Sequence, residues 1–266
     1  MTIKFPDFKK MYEYETNFHL TMNSERLAKL ICHYETFKSA NKVSGEIVEC
    51  GVFKGTSLAR FALFRDLLGS KNTSKIIAFD VFSDVFPNTQ YKEDKKIRKD
   101  WIKKAGSSSI SKKQMLKVFK KQNSKNFELI EGDITKSLPK YIKKNPHLKI
   151  SLLNIDIDFV ESTFCALEYL YPRVSKGGII LLDNYGFAHG DTKGVDMYFK
   201  KIIERIKESD GATWCRRQPV DNRVTCGERG AFDNNTFTRY TSFIMLPTHS
   251  KGSNALWRPI GWFFWF

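Results

Sequence analysis

Five short apolar runs recur along this chain, each carrying an acidic residue at its carboxyl end. They are "EIVEC" (46–50), "KIIAFD" (75–80), "NFELIEGD" (126–133), "LKISLLNID" (148–156) and "GIILLDN" (178–184). Helix-like stretches lie between them, at about Thr56 to Leu68, about Lys136 to Lys143, and "ESTFCALEYLY". After the fifth run, "DTKGVDMYFKKIIERIKES" puts Val195, Phe199, Ile202, Ile203 and Ile206 on one face. An earlier stretch, "NSERLAKLICHYETFKSA", repeats Leu27, Leu30, Ile31, Tyr34 and Phe37 at helical period, with Asn23 or Ser24 as cap. Strand–helix alternation with short connections means βαβ units. Right-handed crossovers then force an α/β fold with a doubly wound, mostly parallel sheet. A helical cap over residues 1–44 precedes it.

In such sheets ligands bind outside the carboxyl ends of the strands. Strand one delivers Glu49 and the turn "GVFKGTS", strand two Asp80, and strand three Gly132-Asp133. Strand four delivers Asp156 and Asp158, strand five Asp183-Asn184. One acidic terminus is ordinary turn chemistry, but five on one rim predict a shared ligand site. In "NIDIDFVEST" two aspartates interrupt an apolar run, where an unpaired charge is costly. Residues two apart in a strand share a face, so both carboxylates are expected to address one cationic ligand. Asp158 has a second reading as cap of the helix beginning near Glu161, and Asp183-Asn184 as turn formers. His189 reads either as an ordinary loop histidine or as a substrate contact.

The first turn narrows the ligand. Its spacing is Gly51-x-x-x-Gly55, followed by Thr56 and Ser57, with Glu49 just ahead. Neither GxGxxG nor GxxxxGK[ST] is present, and a carboxylate there would repel a pyrophosphate. An acid before the turn suits S-adenosylmethionine, which carries a sulfonium, an ammonium and ribose hydroxyls. Asp80 occupies the position that accepts a ribose hydroxyl in nucleotide-binding α/β folds.

The net charge of +15 invites a nucleic-acid reading, but it is localised. Residues 92–125 hold thirteen Lys/Arg against three Asp/Glu, without the interleaved aromatics of a stacking platform. They read as a solvated, partly helical basic insertion or as a collar for an acidic substrate, ahead of nucleic acid. The five cysteines are scattered and form no CxxC. The chain has no apolar run long enough for a membrane span and no signal-peptide core near Met1, so cytoplasmic residence is expected. Beyond about Ser209 lysine nearly vanishes and the chain ends in "ALWRPIGWFFWF". Residues 209–266 read as a divergent tail, in which "GATWCRRQ" and "RYTSFIMLP" are candidate edge strands. An appended sequence or an aromatic docking segment are the other readings.

Several stretches together resemble one family: "GEIVECGVFKG", "IIAFDVF", "LIEGDITKSLP", "LNIDIDFVESTFCALEYLYPRVSKGGIILLDNYG" and "GDTKGVDMYF". They are similar to the metal-dependent sugar O-methyltransferases of the macrocin O-methyltransferase (TylF/MycF) type. The resemblance runs from about Met22 to Ile206. It implies a Rossmann-like class I methyltransferase fold over residues 45–208. Glu49 and Gly51, with Gly55, Thr56 and Ser57 of the same turn, would serve the methionine end of S-adenosylmethionine, Asp80 the ribose, and Gly132-Asp133 the adenine side. Asp156, Asp183 and Asn184 would hold a divalent ion, Mg²⁺, and Asp158 would be the general base for a sugar hydroxyl. Many members carry a second aspartate where this chain has Asn184; the amide oxygen resembles the catechol-type O-methyltransferase set. The resemblance also implies a homo-oligomer. A phenolic acceptor and a non-catalytic RNA-binding module are the competing expectations.

Overall fold

In the computed structural model, residues 2–68, 74–84, 86–186, 188–210 and 243–245 are described, 203–210 and 243–245 by their backbone alone. Five parallel strands form the sheet: β1 (Glu46–Cys50), β2 (Ile76–Asp80), β3 (Phe127–Glu131), β4 (Ile150–Ile155) and β5 (Val174–Leu182). A sixth, β6 (Phe243–Met245), pairs antiparallel with β5, giving the order β3-β2-β1-β4-β5-β6. It falls within "RYTSFIMLP"; "GATWCRRQ" and the rest of the tail lie outside the described residues.

Alternation along the strands sorts their side chains onto two apolar faces. Val48, Cys50, Ile77, Phe79, Leu153, Ile155, Ile180 and Leu182 share one core, covered by α6 (Ile134–Lys144), α7 (Val160–Leu170) and α8 (His189–Asp210). Ile47, Ile76, Ala78, Leu152, Ile179 and Leu181 face the other, covered by α2 (Ser24–Ala40), α3 (Thr56–Leu67) and α5 (Lys112–Lys121). Strands buried on both faces are what a parallel sheet requires. The basic stretch 92–125 forms α4 (Lys92–Ala105) and α5, and α5 buries Met115 and Phe119 in the second core. Part of it is therefore structural. Ahead of α2, α1 (Met11–Thr21) buries none of its residues.

Two local expectations are corrected. The apolar face of α2 is rotated: His33, Thr36, Phe37 and Ala40 are buried, while Leu27 and Ile31 are 37% and 52% exposed. The buried side chains of α2 all lie in its C-terminal half. The fifth strand starts ahead of the apolar run "GIILLDN". β5 begins at Val174, and its register against β4 shifts between Ile150 and Leu152, so Gly177 and Gly178 sit in a bulge. No helix among the described residues is long and apolar enough to cross a membrane.

Candidate active site

The strand tips are tied to one another beyond the ends of the strands. Gly132 N–H donates to Asp80 O (2.9 Å), Gly51 to Phe79 O (2.9 Å), Asp156 to Cys50 O (2.9 Å) and Asp183 to Ile155 O (3.1 Å). They floor a cleft of about 350 Å³, within the roughly 300–1,000 Å³ typical of small-molecule sites. Gly51, Thr56, Ser57, Asp80, Gly132, Asp156, Asp158, Asp183 and Asn184 all line it.

The first turn is built around glycine. Gly51 has φ 92°, and a Cβ there would run into the Asp156 carbonyl oxygen. Gly55, at φ 82°, precedes α3, whose Ser57 hydroxyl reaches back to donate to Glu49 Oε1. Glu49 is fully buried beneath the turn, beside Asn154, whose Nδ2 lies 3.5 Å away. Burial pushes its carboxyl up to about 8. Asp80 holds the same turn from the side. Its Oδ2 accepts from Val52 N (2.6 Å) and Phe53 N (3.1 Å), and its Oδ1 from Phe82 N (2.6 Å). Phe53 and Phe82 have positive φ, so Asp80 secures two left-handed residues. A carboxylate has about four acceptor positions, which leaves Asp80 about one for a ligand donor. Asp133 does different work: it accepts from Thr135 N (2.9 Å) and Oγ1 (2.7 Å), capping α6, and lies outside the cleft lining.

Beside this turn the acidic tips of β4 and β5 converge. Asn184 Nδ2 donates to Asp158 Oδ1 (2.8 Å) and lies 3.3 Å from Asp156 Oδ1. Strand alternation is not the cause, because β4 ends at Ile155 and Asp158 takes a left-handed conformation, φ 65°. A turn in the backbone, not the pleat, aims both carboxylates at one point. Nor does Asp158 cap α7: the N-cap is Phe159, and Val160 N–H donates instead to Asp94 Oδ2 of α4 (3.0 Å).

A cation from α2 already reaches this cluster. Lys29 Nζ donates to Asp183 Oδ2 (2.7 Å) and stands 3.7 Å from Asp156 Oδ2. His33 Nε2 lies 3.9 Å from Asp183 Oδ1, an oxygen without a hydrogen-bond partner. Burial would raise Asp183, but the Lys29 charge and His33 overcome it and hold the carboxyl down at about 2. Burial and the Asp183 charge push Asp158 up to about 6 and Asp156 well above the carboxylate range. Burial would lower Lys29, but Asp183 and Asp156 outweigh it and hold the ammonium above its usual value. Among the described residues no three His, Cys, Asp or Glu side chains form a metal-binding group. The donor set here is two carboxylates and an amide.

The remaining walls carry residues with no motif. Arg26 and Lys29, one helical turn apart on α2, and Arg60 on α3 line one side. Ile97, Trp101 and Ala105 of α4 line another, with Phe53 and Phe86. Their four-residue spacing is the one sequence signal that marks α4 as a wall. His189 is turned elsewhere, its Nδ1 2.7 Å from Asp94 Oδ1, beside a separate depression lined by Thr192 and Lys193.

A doubly wound sheet with this glycine turn and this acidic rim defines a Rossmann-like class I methyltransferase. Residues 14–217 match the model of the macrocin O-methyltransferase (TylF) family, and the chain belongs to that family of S-adenosylmethionine-dependent O-methyltransferases. It is 27% identical over 186 residues to the demethyldecarbamoylnovobiocin O-methyltransferase of Streptomyces niveus, covering 66% of this chain and 68% of that one. The structure of the O-methyltransferase NovP is similar at TM-score 0.56 and 22% identity, over 66% of this chain and 72% of NovP. A calicheamicin methyltransferase, CalS11, gives TM-score 0.56 and 22% identity, over 72% and 76% of the two chains. Its apo form, that of a TDP-rhamnose 3′-O-methyltransferase, gives 0.51 and 23% over the same shares.

Proposed function

We propose that this enzyme methylates a hydroxyl of a sugar, carried on a nucleotide, a glycosylated metabolite or a surface polysaccharide, with help from a divalent ion. The observation that carries the reading is the meeting of Asp156, Asp158, Asp183 and Asn184 at one end of the cleft, beside the glycine turn. Hard oxygens of this kind suit Mg²⁺. The buried, unpaired Oδ1 of Asp183 and the ammonium drawn between Asp183 and Asp156 support a cation site there. The relatives named for TDP-rhamnose and for demethyldecarbamoylnovobiocin support a sugar-bearing acceptor for this chain as well.

S-adenosylmethionine would supply an electrophilic methyl, and Asp156, Asp183 and Asn184 would hold a divalent ion whose chemistry there would be to polarise the acceptor hydroxyl. Asp158 takes that hydroxyl's proton; with its carboxyl near 6 it is ionised at neutral pH yet basic enough to accept. Asn184 fixes the direction of Asp158 by donating to Oδ1. Glu49 supports the first turn from beneath through Ser57, and Asp80 keeps the turn's amides in place. The apolar side chains of α4 close the cleft against water.

A mass-detected screen of methyl transfer over nucleotide sugars, glycosides and catechols, with and without Mg²⁺, tests the acceptor class. Methylation of catechols alone refutes the sugar reading. A homo-oligomer is part of the proposal, supported by Met11, Tyr12 and Leu20 standing exposed on α1.

A further inference from the structure

Lys29 stands where the divalent ion is expected. Its Nζ is 2.7 Å from Asp183 Oδ2 and 3.7 Å from Asp156 Oδ2, so one ammonium pairs with both carboxylates of the donor set. The position is not accidental to a loose side chain. Lys29 lies on α2, which is anchored to the core through Phe37 and Ala40, and its side chain is largely covered. A magnesium ion binds carboxylate oxygens at about 2.0–2.1 Å. An ion bound at that distance between Asp183 and Asp156 would stand beside the ammonium that Lys29 places on Asp183 Oδ2, with a like charge pressed against it. Two cations in low-dielectric surroundings cannot share one oxygen at such range without a large Coulomb penalty.

We propose that Lys29 is a tethered competitor for the divalent ion: it neutralises the Asp156–Asp183 pair before the ion arrives and must leave Asp183 Oδ2 for the ion to bind. The proposal rests on the metal-assisted reading above. The metal affinity of this chain is therefore set by α2 as well as by the strand tips. The flexible four-carbon stem of lysine permits the swing, which a guanidinium fork would resist. His33, on the other side of Asp183, does not take over the pairing, since neither of its ring nitrogens has a hydrogen-bond partner and Nε2 stays 3.9 Å away. The displaced ammonium moves into a cleft already lined by Arg26 and Arg60. That crowding of positive charge opposes displacement and makes Lys29 an effective competitor.

The test is Mn²⁺ binding to the full-length protein at neutral pH, followed by electron paramagnetic resonance, for wild type and Lys29→Met. Removing the competing charge is expected to tighten Mn²⁺ binding by about tenfold or more. Equal or weaker binding by the variant overturns the proposal. A second arm uses only the wild type, so a variant that fails to fold leaves the proposal falsifiable. Acetic anhydride labelling of Lys29, read by peptide mass spectrometry, is expected to accelerate when Mn²⁺ saturates the site, with exposed Lys136 as the unchanged control. No change at Lys29 overturns displacement. If neither protein binds Mn²⁺, the proposal and the metal-assisted reading fall together, while S-adenosylhomocysteine binding decides the methyltransferase site separately. If chelated wild type remains active and Lys29→Met does not, Lys29 itself serves as the cation and the competitor role is refuted.

Discussion

Asp94 Oδ2 accepts the backbone N–H of Val160 at 3.0 Å across a gap of 66 residues, so a carboxylate from α4 supplies the first turn of α7 with its cap. The same side chain holds His189 through Oδ1. It therefore pins α4 to the loop that carries Asp158. Asp94→Ala leaves the Val160 amide without its partner and is expected to cost about 1–3 kcal/mol in urea unfolding. Turnover should fall more than S-adenosylhomocysteine affinity, because the loop that loosens carries Asp158, the proposed base, and not the first turn. Equal losses in both would mean that Asp94 is merely structural.

Glu49 gives a prediction with two opposite signs. Its folded-state carboxyl stands near 8 against about 4.3 unfolded, so its contribution is full below about pH 4.3 and lost as pH rises to about 8. Glu49→Gln escapes that loss and is expected to stabilise the protein by about 1–3 kcal/mol at pH 8, with little change at pH 4. The same variant disturbs the Ser57 hydrogen bond beneath the first turn, so calorimetry should show weaker S-adenosylhomocysteine binding. A variant destabilised at pH 8 contradicts the burial argument.

As the proposed base, Asp158 would set the lower limit of the pH–rate profile. Catalysis by its carboxylate requires the proton to be off, so kcat should rise with pH through about 6 and level above it. Asp158→Asn is expected to lower kcat by about 10²–10⁴ while leaving cofactor affinity near wild type. A profile flat from pH 5 to 7 in wild type removes Asp158 as the base.

Chelation should abolish turnover, and added Mg²⁺ or Mn²⁺ should restore it. Asp183→Asn weakens the same donor set and is expected to demand more metal for half-maximal rate. Undiminished turnover after chelation refutes metal assistance without touching methyl transfer.

The exposed apolar side chains of α1 predict self-association. Light scattering should give a mass above the 30.9 kDa of one chain. Tyr12→Glu with Leu20→Glu should shift it towards the monomer.

The strand tips were legible because each is local: an apolar run, then an acid, then a turn. Asp80, Asp156, Asp183 and Asn184 all line one cleft for that reason. The pointing of Asp158 was legible only in outcome, since alternation predicted a shared direction that a left-handed residue delivers instead. Asp133 looked like the other tips, yet its carboxylate caps a helix. Lys29 had no local mark at all. It meets Asp183 across 154 residues, from a helix whose apolar period pointed to Leu27 and Ile31 and so misplaced the face that meets the sheet. Asp94 was hidden within a lysine-rich run whose charge masked the period of Ile97, Trp101 and Ala105.

The contact between Gly51 and the Asp156 carbonyl joins the floor of the cleft into a single seam of main chain. The walls come from α2 and α4, which lie outside the strand ladder. Grafting those two helices would therefore change the walls of the cleft while the strand tips below them keep their register. A chimera of that kind would exchange Lys29 and Trp101 while keeping Asp156, Asp158 and Asp183.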